Sequence, residues 1–406
     1  MTKNASRLRR IYRGARTLVH MTKSIGAPHL STSARFAMAY TFPAGSDREH
    51  LDATIRWLCA AQDATGGGGV SAVFSLRSGW DVPYPETSGY ILATFLASAD
   101  YLGDASLAER ATRIGDWEIA IQASNGGVFS RPGVPDTRVF NTGQVLLGWC
   151  TLFERTNRSC YLDAARRAGD YLLGIQEADG TWHRDTYCGA RTYHARTDWG
   201  LLRLWKLTGE ARYADAARRN LRWVIQQQRE NGWFANCGFN DADPITHVID
   251  YTLIGILECA LIDNSAFDRS PMDLVARSAD AVCAIVDRPG ISGIAGMIPA
   301  SFDDNWRSSD DYSCLTGNAQ LAYTLFRLHG LTANRRYENA ADSLLQALKG
   351  TQALGNLPTC IRGGLPGSFP MHTGYLADSF PNWGAKFYAD ALLASLNRKR
   401  GLAIGA

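Results

Sequence analysis

The sequence predicts an all-α fold, an (α/α)6 toroid built from six helical hairpins, and three observations carry this prediction. A two-helix unit recurs along the 406 residues. The second helix of each unit is apolar on more than one face, whereas the first carries charge along one side. Six such units can close into a ring with an inner and an outer layer. An open solenoid is the alternative, but open arrays need distinct polar caps at both ends.

The first helix of a unit ends in a glutamine before a glycine-containing loop in four copies, at Gln62, Gln122, Gln176 and Gln228. Residues 161–182 and 213–234 are the clearest copies, residues 50–70 and 107–129 are weaker, and residues 272–287 and 337–352 are degenerate. A terminal amide such as that of Gln176 can satisfy backbone groups left free at a helix end. The following Gly180 permits a tight reversal, and Trp182 is expected to pack under the turn.

The second helices are expected to line the inside of the ring. They begin near Glu86, Arg138, Thr192, Thr246, Ser313 and Pro381. The loops leading into them are long, at residues 63–85, 123–137, 177–191, 229–245, 287–312 and 353–380. The connections at the other end, such as residues 207–210, are short. Long loops on a rigid scaffold carry function, so the site is expected at the mouth of a central funnel.

Charge divides the chain into three parts. Residues 1–47 form a basic helical extension, residues 48–398 the toroid and residues 399–406 a tail. Up to Ser46 there are eight basic residues and no acid, which leaves −5 for the remainder because the total is +3. Arg9, Arg10, Arg13 and Arg16 interleave with apolar residues, so the extension is an amphipathic helix. The extension has three possible roles. It can pack on the toroid or across a homodimer, contact a membrane surface, or frame the funnel.

Composition excludes several functions. A chain with 46% hydrophobic and 20% charged residues is globular. No apolar stretch reaches the ~20 residues of a transmembrane helix, and the body lacks the basic surplus of a nucleic-acid surface. Nine scattered cysteines without a CxxC pair, and no apolar signal-peptide core, predict a cytoplasmic protein. Zinc-type spacings, a P-loop and a GxGxxG turn are missing, so neither a metal nor a cofactor is expected.

The mouth loops mix aromatic, acidic, basic and histidine side chains, and this mixture suits a sugar ligand. Arginine forks match the carboxylates of uronates. The catalytic candidates are Tyr193, His194, His247, Asp136, Asp198 and Glu86. The substrate-binding candidates are Trp80, Tyr84, Arg138, Asn141, His183, Arg196, Asn236, Asp241, Asp311, His372, Trp383 and Lys386.

Two mechanisms fit these candidates. In the first, Tyr193, His194 or His247 moves a proton at a uronate whose carboxylate is held by Arg138 or Arg196, as in a lyase or a C5-epimerase. The second is a glycoside hydrolase with two carboxylates. Its carboxylates would come from Glu86, Asp136, Asp198 and Asp241. Structural roles compete, namely helix capping by Asp136 or Asp241, an Arg196–Asp198 ion pair, and core packing of Trp383.

The six hairpins and their Q-x-x-D-G-x-W turns (residues 176–182) resemble the (α/α)6 carbohydrate-active superfamily over residues 48–398. Relatives include unsaturated glucuronyl hydrolases, N-acylglucosamine 2-epimerases, toroid polysaccharide lyases and the helical domain of glucuronyl C5-epimerases. The resemblance implies the toroid fold and an acidic oligo- or polysaccharide substrate, and it assigns no catalytic residue.

The same turns resemble the QW repeat of terpene cyclases and protein prenyltransferases. The sequence departs from that pattern because it holds no Asp-x-Asp-Asp acid box. The Cys-His dipeptide of lanthionine cyclases is missing as well. A terpenoid cyclase or a non-catalytic glycan-binding toroid is the alternative of another class.

Overall fold

A computed structural model describes residues 3–268 and 270–404 of the chain. Two helices, α1 (Lys3–Ile25) and α2 (Leu30–Met38), precede the repeats. The outer helices are α3 (Asp47–Asp63), α5 (Ala105–Ala120), α7 (Ser159–Gly174), α9 (Ala211–Gln226), α11 (Pro271–Val286) and α13 (Arg335–Lys349). The inner helices are α4 (Pro85–Leu102), α6 (Val139–Thr156), α8 (Ala195–Thr208), α10 (Thr246–Ile262), α12 (Leu315–Thr332) and α14 (Asn382–Lys399).

The inner helices form a closed ring. Each packs against the next along the chain, and α14 packs against α4 to complete the circle. The outer helix α3 packs on α14, so the first outer helix pairs with the last inner one. This closure confirms the predicted (α/α)6 toroid and excludes the open solenoid.

Burial follows the two layers. Fourteen residues of α10 are buried, from Thr246 to Cys259, because this inner helix has protein on every side. The outer helix α9 buries only one stripe, which includes Tyr213, Ala217 and Leu221 at helical spacing. The predicted difference between apolar inner and amphipathic outer helices is therefore present.

The terminal glutamines of the outer helices join neighbouring repeats. The Gln122 side-chain amide donates to the carbonyl of Gly126 at 2.8 Å and to that of Ala164 on the next outer helix at 3.1 Å. Gln176 makes the same pair of bonds to Gly180 and Ala216, at 2.9 Å each. The amides thus satisfy backbone groups at the turns, as predicted, and also link adjacent outer helices.

Short strands tie the mouth loops together. Strands β1 (Val73–Ser75), β2 (Gly79–Trp80) and β5 (Ser379–Pro381) form an antiparallel sheet in the order β2-β1-β5. Strands β3 (Ser313–Cys314) and β4 (Ser368–Phe369) pair antiparallel. Three 3₁₀ turns, Ala27–His29, Thr192–His194 and Ile291–Gly293, complete the described elements. The first and last mouth loops are therefore held as one unit.

Helix α1 lies against these mouth loops. The Thr17 hydroxyl donates to the Asp378 carboxylate, and the Ser24 hydroxyl donates to the Leu76 carbonyl at 3.1 Å. Met21 and Ile25 are buried on the same face. Within the described residues, no helix combines the length and apolarity needed to cross a membrane.

Candidate active site

A cavity of about 440 Å³ opens at the mouth of the ring, where the long loops enter the inner helices. Its walls come from the first two turns of α4 and α10, from the start of α14 and from four of the mouth loops. The lining side chains are Tyr84, Glu86, Thr87, Tyr90, Tyr187, Phe239, His247, Tyr251, Tyr375 and Trp383. Aromatic rings therefore surround a small number of polar groups.

Glu86 is the only carboxyl group that lines this cavity in the described part of the chain. It lies at the start of α4 directly after Pro85, a residue suited to the first helical turn. Gly89, one turn further on, allows close contact with α6, since a β-carbon there would lie 2.7 Å from the Val145 Cα. Burial raises the Glu86 pKa to about 7, although Tyr84 and the charge of Arg196 act in the opposite direction. Glu86 can therefore give or take a proton near neutral pH.

A chain of phenols runs from Glu86 to the surface. The Tyr84 hydroxyl donates to Glu86 Oε2 at 3.1 Å and lies 3.0 Å from the Tyr187 hydroxyl. Tyr187 in turn donates to Asn141 Oδ1 at 3.2 Å, and its side chain is 40% exposed. When Glu86 is protonated it can donate to Tyr84, which then donates to Tyr187. The chain can thus carry a proton between Glu86 and solvent.

His247 lies at the start of α10 and faces the same cavity. Its Nδ1 is buried without a hydrogen-bond partner, and the rings of Tyr251 and Tyr375 lie 4.9 and 5.7 Å away. Gly317 on α12 permits this approach, because a β-carbon would lie 2.7 Å from the His247 backbone nitrogen. Burial, with the Arg196 charge, lowers the His247 pKa to about 3, so the imidazole is neutral.

An aromatic floor of Tyr90, Tyr251 and Phe387 separates this cavity from a second one deeper in the ring. The Arg196 guanidinium carbon lies 5.9, 5.1 and 5.7 Å from these three ring centres. Its Nε donates to Gln144 Oε1 at 2.8 Å, and its side chain lines the deeper chamber of about 160 Å³. Arg196 therefore lies below the floor, where it does not contact a ligand bound in the upper cavity. Its charge nevertheless acts on Glu86 across the floor.

Five of the predicted site residues belong to the upper cavity. Glu86, Tyr84, His247 and Trp383 line it, and Asn141 holds its wall through Tyr187. Trp383 is not only a core residue, since its Nε1 donates to the Tyr375 hydroxyl at 3.0 Å beside the cavity.

The densest predicted cluster lies mostly behind the cavity wall. Tyr193 and His194 fall in the 3₁₀ turn before α8 and are fully buried, with His194 against Trp182. Asp198 is buried and accepts from Asn220 at 2.6 Å, so it forms no ion pair with Arg196. Tyr193 packs against Phe239 of the cavity wall, with ring centroids 5.3 Å apart, so this cluster supports the lining from behind.

The remaining predicted residues lie at the rim, in the loops or below the floor. Asp136 pairs with Arg138 at 2.6 Å and Asp241 with Arg191 at 2.7 Å, and neither carboxylate caps a helix. Those outside the upper cavity are Asp136, Arg138, His183, Asn236, Asp241, Asp311, Trp80, His372 and Lys386. Trp80 packs on Trp57, His372 is buried in its loop, and Lys386 lines the deeper chamber beside Asp390.

Apart from Tyr84 and Trp383, the aromatic residues of the cavity and its floor were not predicted from the sequence. Tyr90, Tyr251 and Phe387 each follow a cavity residue by four positions, after Glu86, His247 and Trp383. Residues four apart lie on one helix face, so this spacing was the available signal. Tyr187, Phe239 and Tyr375 come from loops and carried no comparable periodicity.

The fold matches solved enzymes although the sequence does not. No known protein-family model matches the sequence, and no curated protein sequence is detectably similar. An unsaturated glucuronyl hydrolase from Bacillus sp. GL1, responsible for the degradation of glycosaminoglycan, superposes with a TM-score of 0.66 at 16% identity, over 88% of this chain and 97% of the enzyme.

Two further structures agree. An unsaturated glucuronyl hydrolase specific for heparin gives a TM-score of 0.69 at 15% identity, over 87% of this chain and 98% of the other. A cellobiose 2-epimerase from Bacillus thermoamylovorans gives 0.67 at 10% identity, over 87% and 98%. The chain therefore has the toroid fold of these carbohydrate-active enzymes, and the resemblance inferred from its hairpins is confirmed at the level of fold.

Proposed function

We propose that this chain is a carbohydrate-active enzyme that uses Glu86 for proton transfer to the terminal sugar of an acidic oligosaccharide. The observation that carries the proposal is a single buried carboxyl group in an aromatic cavity, with its pKa raised to about 7. Such a group is partly protonated at neutral pH and can act as a general acid or base.

The shape and lining of the cavity support a sugar ligand. Ring faces such as that of Trp383 stack on the C–H faces of a pyranose, while the phenol hydroxyls bind its hydroxyl groups. The aromatic floor closes the bottom, so a chain end fits and a continuous chain does not. A neighbouring cavity of about 310 Å³ shares Tyr84 and Trp383 and contains both Arg131 and Asp81, which can bind the polar groups of the next sugar.

The reaction proposed is the hydrolytic release of a terminal unsaturated uronate. Glu86 protonates C4 of the C4–C5 double bond, and water adds at C5. The proton of that water passes to His247 or back to Glu86, and the resulting hemiketal opens with cleavage of the glycosidic bond. This route needs one carboxyl group. The two-carboxylate glycosidase is less well supported, because Asp136, Asp198 and Asp241 lie outside the cavity.

A second candidate is epimerisation of the bound sugar. The observation that favours it is the neutral His247, whose Nδ1 has no partner and whose ring lines the cavity with Glu86. One group would remove the proton next to a carbonyl or carboxylate and the other would return it to the opposite face.

The aromatic lining also meets a requirement of a terpenoid cyclase. Five phenol hydroxyls accompany the rings, however, and these suit a hydroxylated ligand better than a hydrocarbon. An isoprenoid substrate therefore belongs in the test as a counter-assay.

Incubation with defined oligosaccharides distinguishes these reactions. The panel contains unsaturated disaccharides from lyase digests of glycosaminoglycans, saturated uronate oligosaccharides and an isoprenoid. Hydrolysis of an unsaturated uronide removes its ultraviolet absorbance, a lyase creates that absorbance, and an epimerase incorporates solvent deuterium without cleavage. The expected result is loss of absorbance with release of the next sugar.

Glu86→Gln prepared in parallel assigns any product to this cavity. Turnover that survives in Glu86→Gln, or turnover of the isoprenoid alone, would contradict the proposal.

A further inference from the structure

Helix α1 has two opposite faces with different surroundings. Thr17, Met21 and Ile25 are buried against the toroid at a spacing of four residues. On the other side Tyr12 and Val19 are 70% and 52% exposed, on a stripe that also includes exposed Lys23. The outward stripe is therefore not needed to attach the helix to the ring.

Exposed large apolar side chains concentrate in this part of the molecule. Those in α1, α2 and the residues that follow are Ile11, Tyr12, Val19, Leu30, Met38 and Tyr40, each at least half exposed. The rest of the described chain has six more exposed large apolar residues, and each is far in sequence from the others. A concentration of this kind marks an interaction surface.

The charge of the same segment specifies the partner. Residues 1–46 hold eight Lys and Arg and no acid. Among the cations of this segment whose side chains the structure describes, Arg16 contacts Asp378 and Arg35 donates to the Thr41 carbonyl. Exposed Arg13 and Lys23 accompany the apolar stripe. A second copy of the chain would bring the same positive charge against itself, which disfavours self-association through this face.

We propose that the outer face of α1 and α2 binds an anionic lipid surface. Apolar side chains enter the region between headgroups and acyl chains, while Lys and Arg contact the phosphates. The buried face of α1 contacts Leu76 and Asp378 in the mouth loops, so the docked face and the funnel mouth lie at the same end of the ring. Binding therefore brings the candidate active site to the membrane surface.

Co-sedimentation of the full chain with vesicles tests this surface. The vesicles contain phosphatidylcholine alone or phosphatidylcholine with phosphatidylglycerol. We expect binding to the anionic vesicles only, weakened by added salt. Tyr12→Asp with Val19→Asp, and separately Arg13→Glu with Lys23→Glu, should each reduce partitioning by about tenfold or more.

Leu331→Asp is the matched control, because Leu331 is an exposed apolar residue on the ring, 43% exposed. It should leave sedimentation unchanged, and circular dichroism should confirm that every variant is folded. Failure of the wild-type chain to sediment with anionic vesicles overturns the proposal. Light scattering that finds a dimer which Tyr12→Asp with Val19→Asp dissociates also overturns it, and assigns the face to a second copy.

Discussion

The two cavities on either side of the aromatic floor have opposite electrostatic characters. The upper cavity contains Glu86 and the neutral His247, and none of its described lining residues is Lys or Arg. The deeper chamber contains Arg196, Lys386 and Asp250 together with Asp390 and Arg203. Both chambers contain a buried acid with its pKa raised to about 7, Glu86 above and Asp250 below.

This difference shows why similar acids have different roles. Asp250 faces the charges of Arg196 and Lys386 in a chamber of about 160 Å³, whereas Glu86 faces a cavity of about 440 Å³ that is large enough for a sugar. A raised pKa alone therefore does not identify the acid that performs catalysis. Glu86 and Asp250 differ in their access to a ligand. Substitutions of Glu86 and of Asp250 test whether this difference decides which acid is catalytic.

The largest expected effect on activity is that of Glu86→Gln. Removal of a general acid should lower kcat by about 10²- to 10⁴-fold. Asp250→Asn, the matched change below the floor, should alter kcat by less than about tenfold. Steady-state kinetics on the substrate identified by the panel make the measurement, and an Asp250→Asn loss equal to that of Glu86→Gln would remove the proposed distinction.

The same pair of variants should behave alike in stability. The folded protein holds the Glu86 proton up to about pH 7, whereas a free glutamate has a pKa of 4.5. The stabilisation linked to this proton is complete below pH 4.5 and is lost as pH rises through 7. At pH 8, Glu86→Gln should therefore be more stable than wild type by up to about 3 kcal/mol, measured by urea unfolding. Asp250→Asn should likewise be more stable than wild type at pH 8. If each variant differs from wild type by the same free energy of unfolding at pH 5 and at pH 8, the raised pKa values of Glu86 and Asp250 are contradicted.

His247 should have the next largest effect on activity. Its imidazole is neutral because burial lowers its pKa to about 3, so it is a weak base that acts by hydrogen bonding to water or substrate more than by holding a proton. His247→Gln should reduce kcat by about 10- to 100-fold. The dependence of the wild-type kcat on pH should show no titration of His247 between pH 5 and 9. A titration near pH 6.5 that is lost in His247→Gln would show that solvent protons reach His247.

Arg196 should act through the floor as a positioning residue. Its charge lowers the Glu86 pKa against the effect of burial, so removal of the charge should raise that pKa further. Arg196→Met is expected to move the Glu86 limb of the rate profile to higher pH, so that more of this general acid is protonated and kcat at pH 8 rises. Arg196→Lys keeps the charge and should restore the position of the limb. A change in KM alone would instead indicate contact with the substrate.

Much of the fold could be predicted from the sequence because helical periodicity is local. The glutamine turns and the starts of the inner helices, including Thr246, were predictable, since each depends on a few adjacent residues. The site was less predictable, because it depended on packing between repeats: His194 lies against Trp182 and does not line the upper cavity. Composition marks a mouth loop as rich in polar groups, but the direction of each side chain is set by packing against other repeats.

His194 should have the smallest effect, and this tests whether the upper cavity alone is catalytic. Its ring lies 5.8 Å from Trp182, neither ring nitrogen has a hydrogen-bond partner, and burial lowers its pKa to about 3. His194→Gln should change kcat by less than about twofold, while its stability should change by about 1–2 kcal/mol, as for other buried substitutions. A loss of activity comparable to that of His247→Gln, at unchanged stability, would mean that the 3₁₀ turn opens and brings His194 to the substrate. The set of residues that can reach the substrate would then depend on the conformation of this turn and not only on the fixed positions of the ring helices.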